Sequence, residues 1–148
     1  MAALEGAPVA RATASGRAAV SAALLSGLST GDHIVASKTL YGGTYSQLEV
    51  TFEQMGIAAT FVDGADSAAF AGAIRPNTKA VYTETIGNPQ LDVADIAALA
   101  TIAHAAGVPL VVDNTMASPW LCRPFEHGAD IVVHSLTKYL GGHGTTMG

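Results

Sequence analysis

The chain has 148 residues, the length of one globular domain, and 49% of them are hydrophobic while 13% are charged, which excludes a disordered chain. The net charge of −5 and the lack of a lysine or arginine cluster argue against nucleic acid as a partner, and no apolar run approaches the roughly 20 residues of a membrane helix. The single cysteine, Cys122, can form no internal disulfide, so a reducing compartment, by default the cytoplasm, is expected.

The first half of the chain alternates helical stretches with short strands. Ser15 is a candidate N-cap because its hydroxyl can accept an N–H from the alanine- and leucine-rich stretch behind it. Gly56 and Pro76 follow two later helical stretches and are typical of helix ends. The predicted elements are a helix over Ala18–Leu28, a strand over His33–Ser37, a helix over Ser46–Met55, a strand over Ile57–Asp63 and a helix over Ser67–Ile74.

The second half continues this alternation. Its apolar, β-branched runs are typical of strands buried on both faces, and Gly107 marks the end of a helix between two of them. The predicted elements are a strand over Ala80–Glu84, a helix from Asp92 or Val93 to Ala106, a strand over Val108–Val112, a loop over Trp120–Phe125 and a strand over Ile131–Val133. Strands that alternate with helices predict an α/β fold, with a mostly parallel sheet and helices on both faces.

Polar side chains follow the later strands at the points where those strands end. Asn88 comes after the third predicted strand, Asp113 after the fourth, and a Ser-x-Thr-Lys segment after the fifth. Because open parallel sheets bind ligands at the carboxyl ends of their strands, we expect the functional site there. Taken alone, Asn88 also fits an Asn-Pro turn, and Asp113 fits a turn or a helix cap.

The fifth strand leads into His134-Ser135-Leu136-Thr137-Lys138 and then a glycine pair. A lysine at the end of a buried strand is costly unless it has a chemical role or a partner. We therefore predict that Lys138 forms a Schiff base with pyridoxal phosphate (PLP), while the Ser135 and Thr137 hydroxyls bind the phosphate. A surface lysine that merely follows a strand is the alternative.

Two further candidates lie in the first half of the chain. Gly16 and Arg17 begin the first long helix, where free N–H groups can bind phosphate. Taken alone, the segment is better explained as a plain capped helix, because caps far outnumber phosphate sites. Tyr41, in the glycine loop LYGGTY, can stack on a planar ligand or pack against the core. The chain has neither a G-x-G-x-x-G after the first strand nor a P-loop, and the spacing of His127 and His134 does not suit a metal site.

Five stretches together resemble the Cys/Met-metabolism family of PLP-dependent enzymes, a fold-type I group. They are ASGRAA (14–19), LYGGTY (40–45), ETIGNPQLDV (84–93), VVDNT (111–115) and EHGADIVVHSLTKYLGGHG (126–144). This resemblance covers nearly the whole chain. It implies that residues 1–148 belong to the large PLP-binding domain, incomplete at both ends and without the C-terminal substrate domain.

The resemblance implies a role for each candidate residue. Lys138 matches the lysine that carries the cofactor and moves protons, and Asp113 matches the carboxylate paired with the pyridine nitrogen. Tyr41 matches the tyrosine stacked on the ring, which also helps to move protons, and Asn88 matches the partner of the ring hydroxyl. The phosphate ligands are implied to be the main-chain N–H groups of Gly16 and Arg17 and the hydroxyls of Ser135 and Thr137.

Within the family, the YGGTY, IGNP and CRPFEHGAD segments are most similar to members that act on O-acetylhomoserine. This implies γ-replacement on O-acetyl-L-homoserine with sulfide or a thiol, giving homocysteine or methionine, in a homotetramer built as a dimer of dimers. Cystathionine γ-synthase or methionine γ-lyase chemistry is an alternative, and so is a truncated, non-catalytic remnant. The family's upstream Tyr/Arg pair and its C-terminal arginine are absent, so the isolated chain is expected to bind PLP weakly and to turn over poorly.

Overall fold

The computed structural model describes all residues from 1 to 148. Its five strands are β1 (His33–Ser37), β2 (Ala58–Val62), β3 (Thr78–Glu84), β4 (Leu110–Asp113) and β5 (Ile131–Val133). They form one sheet in the order β2-β1-β3-β4-β5, and each strand is parallel to its neighbours. The predicted parallel α/β sheet is therefore confirmed, and β1 and β5 have the predicted bounds.

The helices are α1 (Ala2–Glu5), α2 (Gly16–Leu25), α3 (Gly42–Ser46), α4 (Ser67–Ala73), α5 (Ile96–Ala105) and α6 (Ser118–Leu121). α3 continues as a π-helix over Gln47–Phe52, and a 3₁₀ turn spans Pro124–His127. Ser15 caps α2 as predicted, because its hydroxyl accepts the Ala18 N–H at 3.2 Å. None of these helices combines the length and the apolarity that a membrane crossing requires.

Helices cover both faces of the sheet, as predicted. On one face, α2 and the π-helical segment pack on the strands through the buried side chains of Leu24, Leu48 and Phe52. On the other face, α4 and α5 pack through the buried side chains of Phe70 and Leu99. All residues of β1 are buried between the two layers, so this strand is covered on both faces.

The chain adds strands to the sheet in opposite directions on the two sides of the boundary between β1 and β3. β2 lies on one side of β1, whereas β3, β4 and β5 follow on its other side, so the connections after β1 and β3 lead away from each other. In open parallel sheets such a reversal leaves a crevice at the carboxyl ends of the strands, where ligands bind. Tyr41 follows β1 and Asn88 follows β3, so two predicted site residues flank this crevice.

The predicted glycine loop around Tyr41 is mostly helical. α3 begins at Gly42, and its first turn closes because the Thr44 and Tyr45 N–H groups donate to the Tyr41 carbonyl at 2.8 and 2.9 Å. The helix predicted from Ser46 therefore starts earlier, and most of it is π-helical. Apolar spacing predicts a helix but does not distinguish the i+4 hydrogen bonds of an α-helix from the i+5 bonds of a π-helix.

Two stretches in the second half also differ from the prediction. α5 begins at Ile96, with Asp95 as its N-cap, because Ile86 and Val93 form an antiparallel bridge that keeps the residues before Asp95 out of the helix. The predicted loop Trp120–Phe125 contains the end of α6 and the start of the 3₁₀ turn. The other elements lie within three residues of the predicted bounds.

Candidate functional site

Asp113 ends β4 and carries a desolvated carboxyl group. Burial raises the pKa of this carboxyl. Hydrogen bonds from Thr115 and the electrostatic influence of the nearby His134 lower that pKa. Both bonds from Thr115 reach Oδ1, and no lysine, arginine or histidine forms an ion pair with Asp113. A buried carboxyl without a cation is a place where a positively charged ligand group is stabilised.

Thr115 joins the ends of β4 and β5. Its hydroxyl donates to Asp113 Oδ1 at 2.5 Å and accepts the main-chain N–H of Ser135 at 2.8 Å. The two predicted site residues Asp113 and Ser135 are therefore held by the same side chain. Thr115 was not predicted from the sequence, although its place directly after Asp113-Asn114 on a buried strand end is a signal that could have found it.

The start of α2 packs directly against Ser135. A Cβ on Gly16 would lie 2.6 Å from Ser135 Cβ, so only glycine permits this approach. The Ser15 hydroxyl accepts the Ala18 N–H, which leaves the N–H groups of Gly16 and Arg17 without a partner in the chain. Two free N–H groups of a ten-residue helix beside a serine hydroxyl make a candidate anion site. The structure thus brings three of the four predicted phosphate ligands together.

Tyr41 stands at the crevice and is not a core residue, because 47% of it is exposed. Its ring lies over Gly43, where a Cβ would come 2.5 Å from Tyr41 Cε1. Its main-chain N–H donates to Glu84 Oε1 at 2.6 Å. Glu84 in turn pairs with Asp113 in the register of β3 and β4. Tyr41, Glu84 and Asp113 therefore lie side by side along the carboxyl edge of the sheet.

Asn88 lies in the loop after β3 with its side-chain amide free of hydrogen bonds within the chain, so the amide is available to a ligand. Its main-chain N–H donates to the Thr39 carbonyl at 3.4 Å, and the peptide bond to Pro89 is cis. The Thr39 hydroxyl donates to Asp92 Oδ2 at 2.7 Å. These bonds connect the loop that carries Asn88 to the end of β1, so both predicted features, the turn and the available amide, are present.

Lys138 and Thr137 are placed differently from the prediction. Lys138 is exposed in a turn, because β5 ends at Val133 and the chain has left the sheet before it reaches the lysine. The argument from the cost of a buried lysine is therefore wrong, and its role rests on the family resemblance. The Thr137 hydroxyl accepts the Gly148 N–H at 3.1 Å and donates to the Gly148 carbonyl at 3.3 Å, so it is not joined to the anion site at Gly16.

Glu84 is a further residue of this edge that the sequence analysis missed. Burial, with the carboxylates of Asp113 and Asp92 nearby, raises its pKa to about 8 although the Tyr41 N–H opposes the shift. The pKa of the buried Tyr82 hydroxyl is also raised, first by burial and then by Asp113 and Glu84. The signal in the sequence was a glutamate at the end of the otherwise uncharged strand segment AVYTE. Charged residues are rarely buried, so a glutamate that continues a buried strand indicates a special role.

The model of the Cys/Met metabolism PLP-dependent enzyme family matches residues 1–148. The chain belongs to this family. It is 57% identical to the O-acetyl-L-homoserine sulfhydrylase of Leptospira meyeri and 52% identical to the homocysteine synthase of Schizosaccharomyces pombe. The alignments cover 100% of this chain and 34% and 35% of those relatives, so the chain spans about a third of their length.

Solved structures of similar proteins have the same fold. A candidate O-acetylhomoserine (thiol)-lyase from Campylobacter jejuni matches with a TM-score of 0.96 and 40% identity, over 99% of this chain and 36% of that one. That protein holds a pyridoxyl-lysine monophosphate residue. A cystathionine gamma-lyase from Lactobacillus plantarum, complexed with L-serine, matches with a TM-score of 0.95 and 42% identity, over 99% and 38% of the two chains.

The residues of this family member fit PLP at two points. The Asp113 carboxyl is desolvated and has no ion-pair partner, which suits the protonated nitrogen of a pyridine ring. The free N–H groups of Gly16 and Arg17, beside the Ser135 hydroxyl, suit a phosphate. Both lie at the carboxyl edge of one sheet and are joined through Thr115.

Proposed function

We propose that this protein is a PLP-dependent transferase that replaces the acetoxy group of O-acetyl-L-homoserine by sulfide or a thiol. The Cγ–O bond of the substrate breaks and acetate leaves, a Cγ–S bond forms, and the proton of the thiol is released. Sulfide then gives homocysteine, and a methyl thiol gives methionine. The substrate class rests on the 57% identity to a sulfhydrylase, and the relatives' greater length makes the complete activity a proposal.

One observation carries the proposal for the cofactor. A desolvated carboxyl with no ion-pair partner, Asp113, lies at the same sheet edge as the free N–H groups that begin α2, and Thr115 connects the two. A ligand that presents a cationic ring nitrogen and a phosphate at opposite ends matches this pair of features. PLP is such a ligand.

Each proposed ligand has a separate task. Asp113 would keep the ring nitrogen protonated by stabilising its positive charge. Tyr41 would stack on the ring, and the free Asn88 amide would bind the ring hydroxyl. The phosphate would be bound by the N–H groups of Gly16 and Arg17 and by the Ser135 hydroxyl. Thr137 would join them only after its hydroxyl exchanges its two bonds with Gly148 for the phosphate.

Lys138 would hold the cofactor covalently and then move protons on the substrate carbons. Its side chain is exposed, so the amine is not held in the core. Tyr41, also exposed, would assist with proton transfer from its hydroxyl. When bound, PLP supplies an electron sink for the negative charge that develops on the substrate. The chain itself supplies the binding, the orientation and the proton transfers.

A second candidate function is the elimination or cystathionine-forming chemistry of the same family. The observation in its favour is a 50% identity to the L-methionine gamma-lyase of Porphyromonas gingivalis, over 99% of this chain and 37% of that protein. Elimination releases a 2-oxo acid and ammonia, whereas cystathionine formation and replacement by sulfide both keep the amino acid and differ in the thiol that is added. A non-catalytic remnant would give neither product.

The test begins with the absorption spectrum of the purified protein with added PLP, before and after borohydride reduction. Because the chain spans about a third of its relatives' length, we expect weak formation of a PLP adduct on the Lys138 peptide by mass spectrometry and only slow formation of homocysteine from O-acetyl-L-homoserine and sulfide. In the Lys138→Ala protein both should disappear. Full turnover by that variant would refute the role of Lys138, and a 2-oxo acid as the main product would favour the second candidate.

The remaining features follow from the family and the fold. We propose that residues 1–148 belong to the large cofactor-binding domain, that the protein acts in the cytoplasm, and that it assembles as a homotetramer from two dimers. Its other partners would be small molecules, an amino-acid substrate and sulfide or a thiol. Size-exclusion chromatography with light scattering tests the assembly directly.

A further inference from the structure

Glu84 is a costly group to which the proposed reaction assigns no task. It ends β3 with 6% of its surface exposed and pairs with Asp113 in the strand register, so two carboxyl groups share one sheet edge. A buried carboxyl loses hydration, and a neighbouring like charge adds to that cost. A contact that compensates for this cost is therefore expected at Glu84.

That contact is made with the main chain of Tyr41. Glu84 Oε1 accepts the Tyr41 N–H at 2.6 Å. The Tyr41 carbonyl is occupied by the N–H groups of Thr44 and Tyr45, which belong to α3. The bond from Glu84 is therefore the hydrogen bond that fastens Tyr41 itself to the sheet.

The Tyr41 ring depends on this anchor for its position. The ring is half-exposed and lies over Gly43, which has no side chain that could pack against it. Because few side chains pack against the ring, its position is determined mainly by the position of the Tyr41 main chain. Holding the Tyr41 N–H beside Asp113 therefore holds the ring at the crevice between β1 and β3.

We propose that Glu84 is the positioning residue for Tyr41: its carboxyl oxygen fixes the Tyr41 main chain at the sheet edge and thereby sets the place of the ring over the cofactor. The anchoring rests on the contacts of this chain alone. Its consequence for the cofactor rests on the proposed function, so the two are tested by separate measurements.

Two substitutions separate hydrogen bonding from packing. Glu84→Gln keeps an oxygen acceptor for the Tyr41 N–H, whereas Glu84→Met fills a similar volume without one, so no large cavity is created. Thr85→Val is the matched control. Thr85 is buried at the same edge, and its hydroxyl donates to Asn114 Oδ1 at 2.7 Å and to the Asp113 carbonyl at 3.3 Å, with no hydrogen bond to Tyr41.

The anchoring is tested by amide hydrogen exchange, resolved for single residues by NMR, on the protein without cofactor. Exchange at the Tyr41 amide should rise about tenfold in Glu84→Met and less than threefold in Glu84→Gln and Thr85→Val, as expected for the loss of one hydrogen bond. Equal exchange in the Met and Gln proteins would overturn the anchoring. So would a rise at Tyr41 no larger than that at Thr83, because it would indicate general loosening.

The consequence for the cofactor is tested by titration with PLP. The dissociation constant should rise about tenfold in Glu84→Met and stay within threefold of wild type in Glu84→Gln. An unchanged constant in Glu84→Met would overturn the link between the anchor and the cofactor. If the wild-type protein bound no PLP, the proposed function would fail, while the exchange measurement would still decide whether Glu84 anchors Tyr41.

Discussion

The Thr115 hydroxyl donates to Asp113 Oδ1 at 2.5 Å, and the Thr115 N–H donates to the same oxygen at 2.9 Å. Both bonds favour the charged carboxylate and so oppose burial, which raises the Asp113 pKa. The same hydroxyl accepts the Ser135 N–H. One side chain therefore acts on both the proposed partner of the ring nitrogen and a proposed ligand of the phosphate.

Thr115→Val should weaken PLP binding by about tenfold, because it removes a hydrogen bond to a charged group and leaves the Ser135 N–H without its acceptor. The loss should be larger at low pH, since the Asp113 pKa rises further when the hydroxyl is removed. Thr115→Ser retains the hydroxyl and should stay within threefold of wild type. PLP titrations between pH 6 and 9 measure the effect, and a Val variant with wild-type affinity would contradict it.

Gly16→Ala should weaken binding of PLP far more than binding of pyridoxal, which lacks the phosphate. The new Cβ would lie 2.6 Å from Ser135 Cβ and 2.9 Å from its Cα, so α2 must move away from the anion site at some cost in stability. Gly27→Ala is the control, because nothing lies within 4 Å of a Cβ at that exposed position. Equal losses for PLP and pyridoxal in Gly16→Ala would argue against a phosphate at the start of α2.

The fold was largely predictable because its strands are short apolar runs between clear breaks. β1 and β5 match the prediction to the residue, and the alternation of strands with helices predicted the parallel sheet. The start of α5 was not predictable, because the bridge between Ile86 and Val93 is a contact between two strand-like segments and leaves no mark on helical spacing. Local patterns therefore predicted the elements but not every boundary.

The candidate site was predictable where a residue directly follows a strand. Asp113 and Ser135 lie at the sheet edge for that reason. Lys138 was expected to be buried, but β5 has only three residues and the chain leaves the sheet before the lysine. Glu84 was missed because a glutamate that ends a strand is usually solvated, and its contact with Tyr41 spans 43 residues of sequence. A contact between distant segments thus decided the case of Glu84, and the short length of β5 decided that of Lys138.

The free energy of unfolding of the cofactor-free protein should depend on pH through Glu84. Burial raises the Glu84 pKa from 4.5 to about 8, so between these values the folded protein keeps a proton that the unfolded chain has lost. Stability contributed by this group is therefore fully present below about pH 4.5 and is lost as the pH rises to about 8. The slope for one such group is at most about 1.4 kcal/mol per pH unit.

Glu84→Gln should remove this slope, because the amide does not titrate. Urea unfolding from pH 5 to 9, followed by circular dichroism, gives the difference between variant and wild type at each pH. That difference should grow in favour of the variant as the pH rises. Glu53→Gln, at an exposed position, is the control and should leave the wild-type slope unchanged. A difference that is constant from pH 5 to 9 would show that Glu84 titrates normally.

Glu5 of α1 reaches the sheet edge and forms a buried polar cluster there. Its Oε1 lies 2.5 Å from His134 Nε2 and accepts the Asn114 amide at 2.9 Å, while the side chains of Glu5 and His134 are 4% and 6% exposed. Glu5 Oε2 and His134 Nδ1 are buried without partners. Removing one member of such a pair leaves the other unpaired, whereas removing both together leaves fewer groups unsatisfied.

Glu5→Leu should therefore lower the free energy of unfolding by about 3–5 kcal/mol, the cost of breaking a buried pair. The double variant Glu5→Leu/His134→Leu should lose less than the sum of its single variants, because the unpaired His134 is removed as well. Leu4→Ala, at a position 52% exposed, is the control and should change stability by less than about 0.5 kcal/mol. Urea unfolding of the wild type, Glu5→Leu, His134→Leu and the double variant measures the coupling between the two residues. Additive losses would show that Glu5 and His134 do not act as a pair, and the stability of the sheet edge would then come from packing alone.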